Sequence, residues 1–245
     1  MKNDLVKLNF LEFISEANHA VVSNSNLNSL VFLASEVNFR LVTLSTIINR
    51  YINEKKEQEA IFDNLRNTFF NCSDEESERF NPHIGDDLRT TEEAYFLQID
   101  SISKGVLLNS YSLLENSLND ICSVYQKILN LEISYKDIQG SGIERSIKYL
   151  KKIIGNENIN NNQQWSSIRD WNKIRNVIAH NDGFINESIE NIIQKFDLVS
   201  YRAFSVNEST VGQMKVHVPL LQCKEFLYLI DEFLSLCIIE INDVS

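Results

Sequence analysis

Glycine and proline are scarce in this sequence of 245 residues, which contains only 7 Gly and 2 Pro. These two residues supply most of the tight turns that an all-β sandwich or barrel requires. Their scarcity argues against a many-stranded fold and favours long helices joined by few connections. Apolar residues make up 43% of the chain, which supports a substantial core and argues against disorder.

The sequence also lacks the short motifs of several enzyme classes. It contains no glycine-rich phosphate loop, no Gly-x-Ser-x-Gly elbow and no His-Glu-x-x-His zinc motif. The four cysteines form no Cys-x-x-Cys pair, and none lies near a histidine at metal-ligand spacing. We therefore expect no metal, no cofactor and no disulfide framework, and we interpret Cys122 and Cys237 as small buried hydrophobes.

Positive charge is the third deficit, since the formal net charge is -11. A general duplex-binding protein carries the opposite sign, so an interaction with nucleic acid would depend on a local basic patch. The N-terminal sequence has no apolar signal core, and no apolar run approaches a membrane span. The sequence therefore predicts a soluble, cytoplasmic protein with no membrane partner.

Several segments have apolar residues at the three- and four-residue spacing of an amphipathic helix. The most regular stripes run from Leu30 to Tyr51 and from Leu107 to Ile128, and a third covers Phe226 to Cys237. Such stripes pack against other helices. The predicted fold class is therefore all-α, a helical bundle with long antiparallel core helices. Shorter helices are predicted at about residues 5–18, 57–70, 143–154, 164–180 and 186–200.

The organisation of the chain follows from the gaps between these stripes. Residues 1–90 are interpreted as an N-terminal helical layer that packs on the same domain as a core of residues 91–245. Weak alternation in Ala203–Val206 and Lys215–Val218 allows a small β-hairpin near residues 203–218. The acidic stretch 72–93 is interpreted as a solvated connection, with a lid over a basic site as the alternative.

The stretch from Trp165 to Gly183, WSSIRDWNKIRNVIAHNDG, combines an apolar helical face with a polar end. Its two tryptophans are interpreted as core or interface anchors. Asn-Asp-Gly then predicts the end of the helix, with Gly183 as a left-handed cap. This places His180 in the last turn, five residues after Arg175.

The residues Ile174-Arg175-Asn176-Val177-Ile178-Ala179-His180-Asn181-Asp182-Gly183 resemble the Arg-Asn-x-x-x-His signature of HEPN domains. Residues 110–119 resemble the long second core helix of that superfamily, and residues 142–150 resemble the connecting helix of its bacterial and prokaryotic defence branches. The resemblance covers about residues 91–240. It implies an all-α fold that dimerises and often cleaves RNA without metal, in toxin–antitoxin, abortive-infection and CRISPR-linked systems.

The resemblance implies that Arg175, Asn176 and His180 are catalytic, and that Glu115 faces them from the neighbouring helix. The chemistry of these residue types fits RNA cleavage by the 2′-hydroxyl, because histidine moves a proton near neutral pH and arginine neutralises the phosphorane. Two alternatives follow from the residues. Arg175 would pair with a buried carboxylate while His180 caps helix carbonyls, and Glu115 would be a surface or structural carboxylate.

Geometry adds a constraint to this prediction. Five residues of a regular helix rotate by about 500°, so Arg175 and His180 would point about 140° apart. A two-fold homodimer that joins two such helix ends would form a composite site. A locally basic segment supplies candidate RNA-binding residues, with an ordinary solvated helix face as the alternative. These residues are Arg145, Lys148, Lys151, Lys152 and Lys173.

Two functional hypotheses therefore stand. The first is a metal-independent endoribonuclease, a toxin or defence effector whose partners are RNA, a second copy of the chain, and an antitoxin or defence-system protein. The second is a catalytically silent HEPN-type module that binds a partner protein or a nucleotide. Because silent members of the superfamily usually lose the arginine or the histidine, retention of both favours the enzyme. His217 and the two remaining histidines have no partner visible in the sequence and receive no role.

Overall fold

The computed structural model describes residues 25–70, 84–159, 163–202 and 213–238. Helices dominate these ranges, together with one antiparallel pair of short strands, which confirms the predicted all-α bundle with a small hairpin. The elements in chain order are α1 (Ser25–Phe70), α2 (Ile84–Ile128), α3 (Gly142–Lys152), α4 (Gln163–Asn181), α5 (Glu190–Lys195), β1 (Val199–Arg202), β2 (Met214–His217) and α6 (Leu220–Cys237).

The two longest helices, α1 and α2, contain 46 and 45 residues and form the backbone of the bundle. The apolar stripes identified in the sequence are the faces that the two helices bury, as Leu41 and Ile48 on α1 and Leu114 and Leu118 on α2 illustrate. Helix α2 is central, because it contacts α1, α3, α4 and α6. It also runs without a break across residues 90 and 91, where the sequence suggested a change from one layer to the next.

Two boundaries in this region were predicted wrongly. The helix expected at residues 57–70 is the continuation of α1, and the acidic stretch 72–93 is helical from Ile84 onwards. Asp86 and Asp87 lie in the first turn of α2, where carboxylates interact favourably with the partial positive charge of a helix N-terminus. Acidic composition therefore marks a helix start at this point. The predicted helix at residues 5–18 lies outside the described ranges.

Aromatic rings fix α4 against its neighbours in the core. Trp165 stacks on Phe233 with ring centroids 5.7 Å apart. Trp171 lies between Phe196 at 4.7 Å and Phe226 at 4.9 Å. Both tryptophans are buried, so they are core anchors as the sequence predicted.

The cysteines in the described part of the chain behave as core residues. Cys122, Cys223 and Cys237 are fully buried and unpaired, which confirms the interpretation of Cys122 and Cys237. Burial raises the pKa of Cys122 and of Cys223 to about 12, so both remain thiols at neutral pH. Neither of these two is a candidate nucleophile.

The segment between α4 and α6 differs from its prediction. The helix expected at residues 186–200 covers only Glu190–Lys195, and it gives way to a strand after Asp197, which adopts a left-handed φ of 49°. Strand β1 pairs with β2 in antiparallel register, with Val199 opposite His217. The hairpin is therefore confirmed with a first strand that begins earlier than predicted, because Val and Tyr favour extended backbone once the helix has ended. The predicted strand 203–206 lies outside the described ranges.

Within the described ranges, one helix, Ser29–Phe69, is long and apolar enough to cross a membrane by length and composition alone. The expectation that no apolar run approaches a membrane span was therefore wrong. A core helix of a soluble protein meets the same criterion, and α1 packs against α2 and α6. Its outer face nevertheless exposes Phe32 by 73% and Phe39 by 70%. The arrangement is compatible with a soluble protein.

Truncating a core leucine of α2 should destabilise the bundle. Leu114 is 0% exposed, so Leu114→Ala removes buried apolar surface and leaves a cavity. We expect the free energy of unfolding, measured by urea titration, to fall by about 2 to 5 kcal/mol. Leu221→Ala on α6 is the matched control, because Leu221 is 56% exposed and should cost less than about 0.5 kcal/mol. Equal losses in both variants would contradict the assignment of α2 to the centre of the core.

Candidate functional site

The end of α4 has the geometry that the sequence predicted. The helix continues through Asn181, and then Asp182 and Gly183 adopt left-handed φ values of 47° and 80°. The Gly183 N–H donates to the carbonyl of Val177 at 3.1 Å, and the side-chain amide of Asn181 donates to the carbonyl of Phe184 at 3.2 Å. The chain therefore leaves the helix after Asn181 in a tight, hydrogen-bonded turn that begins two residues after His180.

Arg175 is half-buried and faces α2. Its guanidinium carbon lies 5.0 Å from the centre of the Tyr111 ring, and its Nη1 donates to Oδ1 of Asn176 at 2.8 Å. A guanidinium over an aromatic face is attracted by the ring quadrupole. Arg175 makes no ion pair with a carboxylate of the described residues. The alternative of a buried Arg–carboxylate pair is therefore wrong for the part of the chain that the structure describes.

His180 is exposed and lines an open cavity of about 350 Å³. No backbone carbonyl in the described ranges accepts a hydrogen bond from its ring, so the helix-capping alternative has no support there. On α4 the cavity is lined by residues spaced three and four apart, which form one stripe of the helix surface. The lining residues are Lys173, Asn176, Val177, His180, Asn181, Asn186 and Ser188.

Arg175 and His180 therefore occupy different faces of one continuous helix, as the rotation per residue requires. Arg175 does not line the cavity of His180. Asn176 connects the two, because its carbonyl accepts from Arg175 while the same side chain lines the cavity. The three residues of the motif, Arg175, Asn176 and His180, thus form a polar strip that passes around the end of α4 from one face to the other.

Glu115 lies on the Tyr111 side of this strip. It follows Tyr111 by one turn of α2, and a Cβ built at Gly142 would lie 3.6 Å from its Oε1. It therefore sits beside the start of α3, and it is not among the residues that line the cavity. The structure brings Glu115 to the neighbourhood of the motif without bringing it to His180.

Tyr111 is a site neighbour that the sequence did not identify. Burial raises the pKa of its hydroxyl, Glu115 raises it further, and Arg175 opposes both. The phenol is thus protonated at neutral pH and cannot act as a base. Its position in a regular apolar stripe predicted a core residue, and no local pattern distinguished it from the other aromatic residues of that stripe.

The predicted RNA-binding residues divide into two groups. Lys173 lines the cavity, and its ammonium also pairs with Asp170 at 3.1 Å. The others belong to α3, which packs against α2. There, Lys148 donates to the carbonyl of Gln139 at 3.2 Å, and Arg145 lies 5.4 Å from the centre of the Tyr135 ring. Lys151 is half-buried and Lys152 is exposed.

A second polar cluster lies beneath the turn that follows His180. Its centre is Asp100 of α2, which is 4% exposed. Asp100 Oδ1 lies 2.8 Å from Nδ1 of His217, and Oδ2 accepts from Lys104 at 2.7 Å and from the Tyr201 hydroxyl at 2.9 Å. Burial raises the pKa of Asp100, but these hydrogen bonds outweigh burial and leave the pKa below its ordinary value. Because Asp100 is ionised, His217 donates from Nδ1.

The Asp100 cluster fixes β2, and β2 fixes the turn after α4. The Val216 N–H donates to the carbonyl of Gly183 at 2.9 Å. Lys215 forms an ion pair with Asp182, and its ammonium lies 4.5 Å from the centre of the Phe184 ring. These contacts tie the chain next to His180 to the central helix. Sequence reasoning missed them, because His217 and Asp100 are 117 residues apart.

No metal centre is formed by the parts of the chain that the structure describes, since no group of three or more His, Cys, Asp or Glu could hold an ion there. Comparison of the chain with protein-family models, curated proteins and solved structures found no match. The resemblance to HEPN domains therefore depends on the residues of α4, α2 and α3 quoted above.

Replacing the central carboxylate should change how stability depends on pH. The pKa of Asp100 is lower in the folded chain than its ordinary value of 3.8, so its stabilising effect is complete above that value and is lost as the pH falls through the folded-state pKa. We expect Asp100→Asn to lower the free energy of unfolding at pH 7 by about 3 kcal/mol and to flatten its decline below about pH 5.

Asp63→Asn is the matched control for this experiment, because Asp63 is an exposed carboxylate of α1. It should leave the free energy of unfolding within about 0.5 kcal/mol of wild type. Chemical denaturation across a pH series measures both variants. An Asp100→Asn protein with wild-type stability and pH dependence would exclude Asp100 as the centre of the cluster.

Proposed function

We propose that this protein is a metal-independent endoribonuclease of the HEPN type that acts in the cytoplasm as a toxin or defence effector. The observation that carries the proposal is the polar strip of α4, in which an exposed imidazole lines an open cavity and a guanidinium is joined to that cavity through Asn176. Histidine and arginine are the two residue types that cleavage by an internal hydroxyl requires.

In the proposed reaction, His180 takes the proton of a ribose 2′-hydroxyl. The 2′ oxygen forms a bond to the adjacent phosphorus, and the bond from phosphorus to the 5′ oxygen of the next nucleotide breaks. The leaving 5′ oxygen takes a proton from water, and His180 releases its proton to solvent, so the products are a 2′,3′-cyclic phosphate and a 5′-hydroxyl. An accessible imidazole suits the first step, because histidine can take up and release a proton near neutral pH.

Arg175 would stabilise the phosphorane, whose extra negative charge is greatest at the transition state. In the single chain its guanidinium rests on Tyr111, and Asn176 holds one of its nitrogens. Asn176 would support both catalytic residues from its position between them. Glu115 would influence Arg175 electrostatically, because it lies one turn from Tyr111 on α2 and Arg175 rests on the Tyr111 ring.

We further propose that the active unit is a homodimer. Arg175 and His180 of one chain lie on different faces of α4, so one phosphodiester cannot contact both unless one side chain moves or a second copy contributes. Two α4 ends related by a two-fold axis would place the guanidinium of one chain beside the imidazole of the other. RNA and a second copy are the partners this requires, and an antitoxin or defence-system protein would control the activity.

Removing the imidazole should abolish cleavage while leaving the fold intact. His180 is exposed, so His180→Ala should keep the wild-type unfolding curve and lower the rate of RNA cleavage roughly 10²- to 10⁴-fold. Total-RNA integrity after expression and cleavage of a labelled single strand in vitro measure the effect. His217→Ala is unsuitable as a control because His217 is buried, so Asn64→Ala serves instead, since Asn64 is exposed on α1 and does not line the cavity. Wild-type cleavage that disappears in EDTA would contradict the metal-independent mechanism.

Mixing two inactive variants tests the composite site. If Arg175 and His180 act across a dimer interface, Arg175→Ala mixed with His180→Ala gives heterodimers in which one of the two sites is complete. Random exchange should then restore about a quarter of the wild-type rate. Each variant alone stays inactive, and light scattering checks that both form dimers. No recovery from a mixture that demonstrably exchanges subunits would place both residues of a site in one chain.

One observation favours the second hypothesis, a catalytically silent module that binds a partner protein or a nucleotide. The guanidinium of Arg175 is turned toward Tyr111 and away from the cavity, which is the arrangement of a structural residue. A silent module would bind its ligand equally well in the wild type and in His180→Ala, and neither would cleave RNA.

A further inference from the structure

The cavity next to His180 has two walls, and the motif accounts for only one. The first wall is the stripe of α4 that contains Lys173, Asn176 and His180. The second consists of Asn186 and Ser188, from the loop between the turn at Gly183 and α5. This second wall follows the motif in the chain and belongs to none of the segments that suggested a nuclease.

Hydrogen bonds within the protein fix the orientation of the amide in the second wall. Oδ1 of Asn186 accepts from the backbone N–H of Ser188 at 3.1 Å and from its hydroxyl at 2.5 Å. Both acceptor positions of the carbonyl oxygen are therefore used. The Nδ2 group has no acceptor among the described residues, so its two N–H donors are available to a ligand.

The amide in the first wall is oriented in the same sense. Oδ1 of Asn176 accepts from Arg175 at 2.8 Å, and its Nδ2 also has no acceptor in the described chain. Two amides that line the cavity, one from α4 and one from the loop before α5, thus have their acceptors occupied, and their donors have no acceptor among the described residues. Hydrogen-bond donors without partners recognise acceptors, and the strongest acceptors are anionic oxygens.

The charge around the cavity points to the same ligand chemistry. Lys173 contributes an ammonium group, and the Asp170 carboxylate that it contacts at 3.1 Å is shared with Lys195 at 2.8 Å, so this group of three keeps one positive charge. No Asp or Glu is among the lining residues. Glu187 lies between Asn186 and Ser188 in the chain but does not line the cavity. A volume of about 350 Å³ is at the lower end of the range for small-molecule sites, which suits one nucleotide unit.

We propose that Asn186, held in orientation by Ser188, is a substrate-binding residue that donates to a phosphate of a single RNA strand in the cavity that it shares with Asn176 and Lys173. This inference rests on the proposed function for the identity of the ligand as RNA. It adds a wall of the site that the motif does not contain. Ser188 is a positioning residue, because it acts through Asn186.

The test replaces the donor and keeps the fold. Asn186→Asp preserves an oxygen that accepts from Ser188 but exchanges the N–H donors for a second carboxylate oxygen. We expect at least about a tenfold loss of affinity, because a donor to phosphate becomes a negative charge that repels it. The probe is a fluorescent single-stranded RNA with 2′-O-methyl riboses, which lacks the nucleophile and cannot be cleaved. Anisotropy measures its binding to the whole 245-residue chain.

Controls separate local chemistry from net charge and from folding. Asn64→Asp adds the same charge on α1 outside the cavity and should change affinity by less than about twofold. Asn186→Ala removes the donors without adding charge, and it should weaken binding less than Asn186→Asp does. Ser188→Ala should weaken binding slightly, because the amide loses its orientation. Thermal unfolding verifies that each variant is folded.

The outcomes distinguish this inference from the proposed function. A selective loss of RNA affinity in Asn186→Asp supports the assignment of Asn186 as an RNA-binding residue. That conclusion stands even if unmodified RNA is never cleaved, in which case only the nuclease proposal fails. Equal RNA affinity in wild type, Asn186→Asp and Asn64→Asp overturns the assignment of Asn186 as an RNA-binding residue. It does so even if the wild type cleaves RNA and His180→Ala does not. A wild type that binds no RNA overturns both.

Discussion

A buried carboxylate on the central helix is the constraint on which the arrangement of the site depends. Asp100 is surrounded by hydrogen-bond donors from β1, β2 and its own helix, supplied by Tyr201, His217 and Lys104. An ionised group without partners in the interior would be strongly destabilising, so the structure is stable only when these elements meet. The strand pair is short, and two isolated strands are marginal in water. Attachment to α2 through Asp100 gives β2 a fixed position.

That position determines how the end of α4 is presented. Strand β2 forms a hydrogen bond to the backbone of the turn at Gly183. The ammonium group of Lys104 also lies close to this turn, since a Cβ added to Gly183 would be 3.2 Å from it. The turn follows His180 by two residues, so the imidazole is held at the surface while the apolar face of α4 is buried beneath it. Arg175 is held on the other side by Tyr111 of α2. Two residues of α2 thus fix the motif: Asp100 positions the turn next to His180 through β2, and Tyr111 positions Arg175.

Much of the fold was accessible from the sequence because its signals are local. Apolar residues at helical spacing identified the buried faces of α1, α2 and α6, and the Asn-Asp-Gly sequence predicted the end of α4. The errors lie where local signals are ambiguous. The acidic run 72–93 was interpreted as a connection, although part of it begins α2. Residues 186–200 were interpreted as one helix because of a weak helical pattern, although a strand begins at Val199. Strand formation there depends on pairing with β2, which residues 199–202 alone do not encode.

The sequence by itself determined that the chain is helical, that Arg175 and His180 share one helix, and that their side chains diverge, because all three follow from the rotation per residue. Only the tertiary structure decided which partners they meet. Tyr111, the Asp100–His217 pair and the wall formed by Asn186 and Ser188 owe their roles to contacts made in space. No periodicity or spacing encodes a contact between residues 117 positions apart, since such a pair forms only when packing closes the intervening chain.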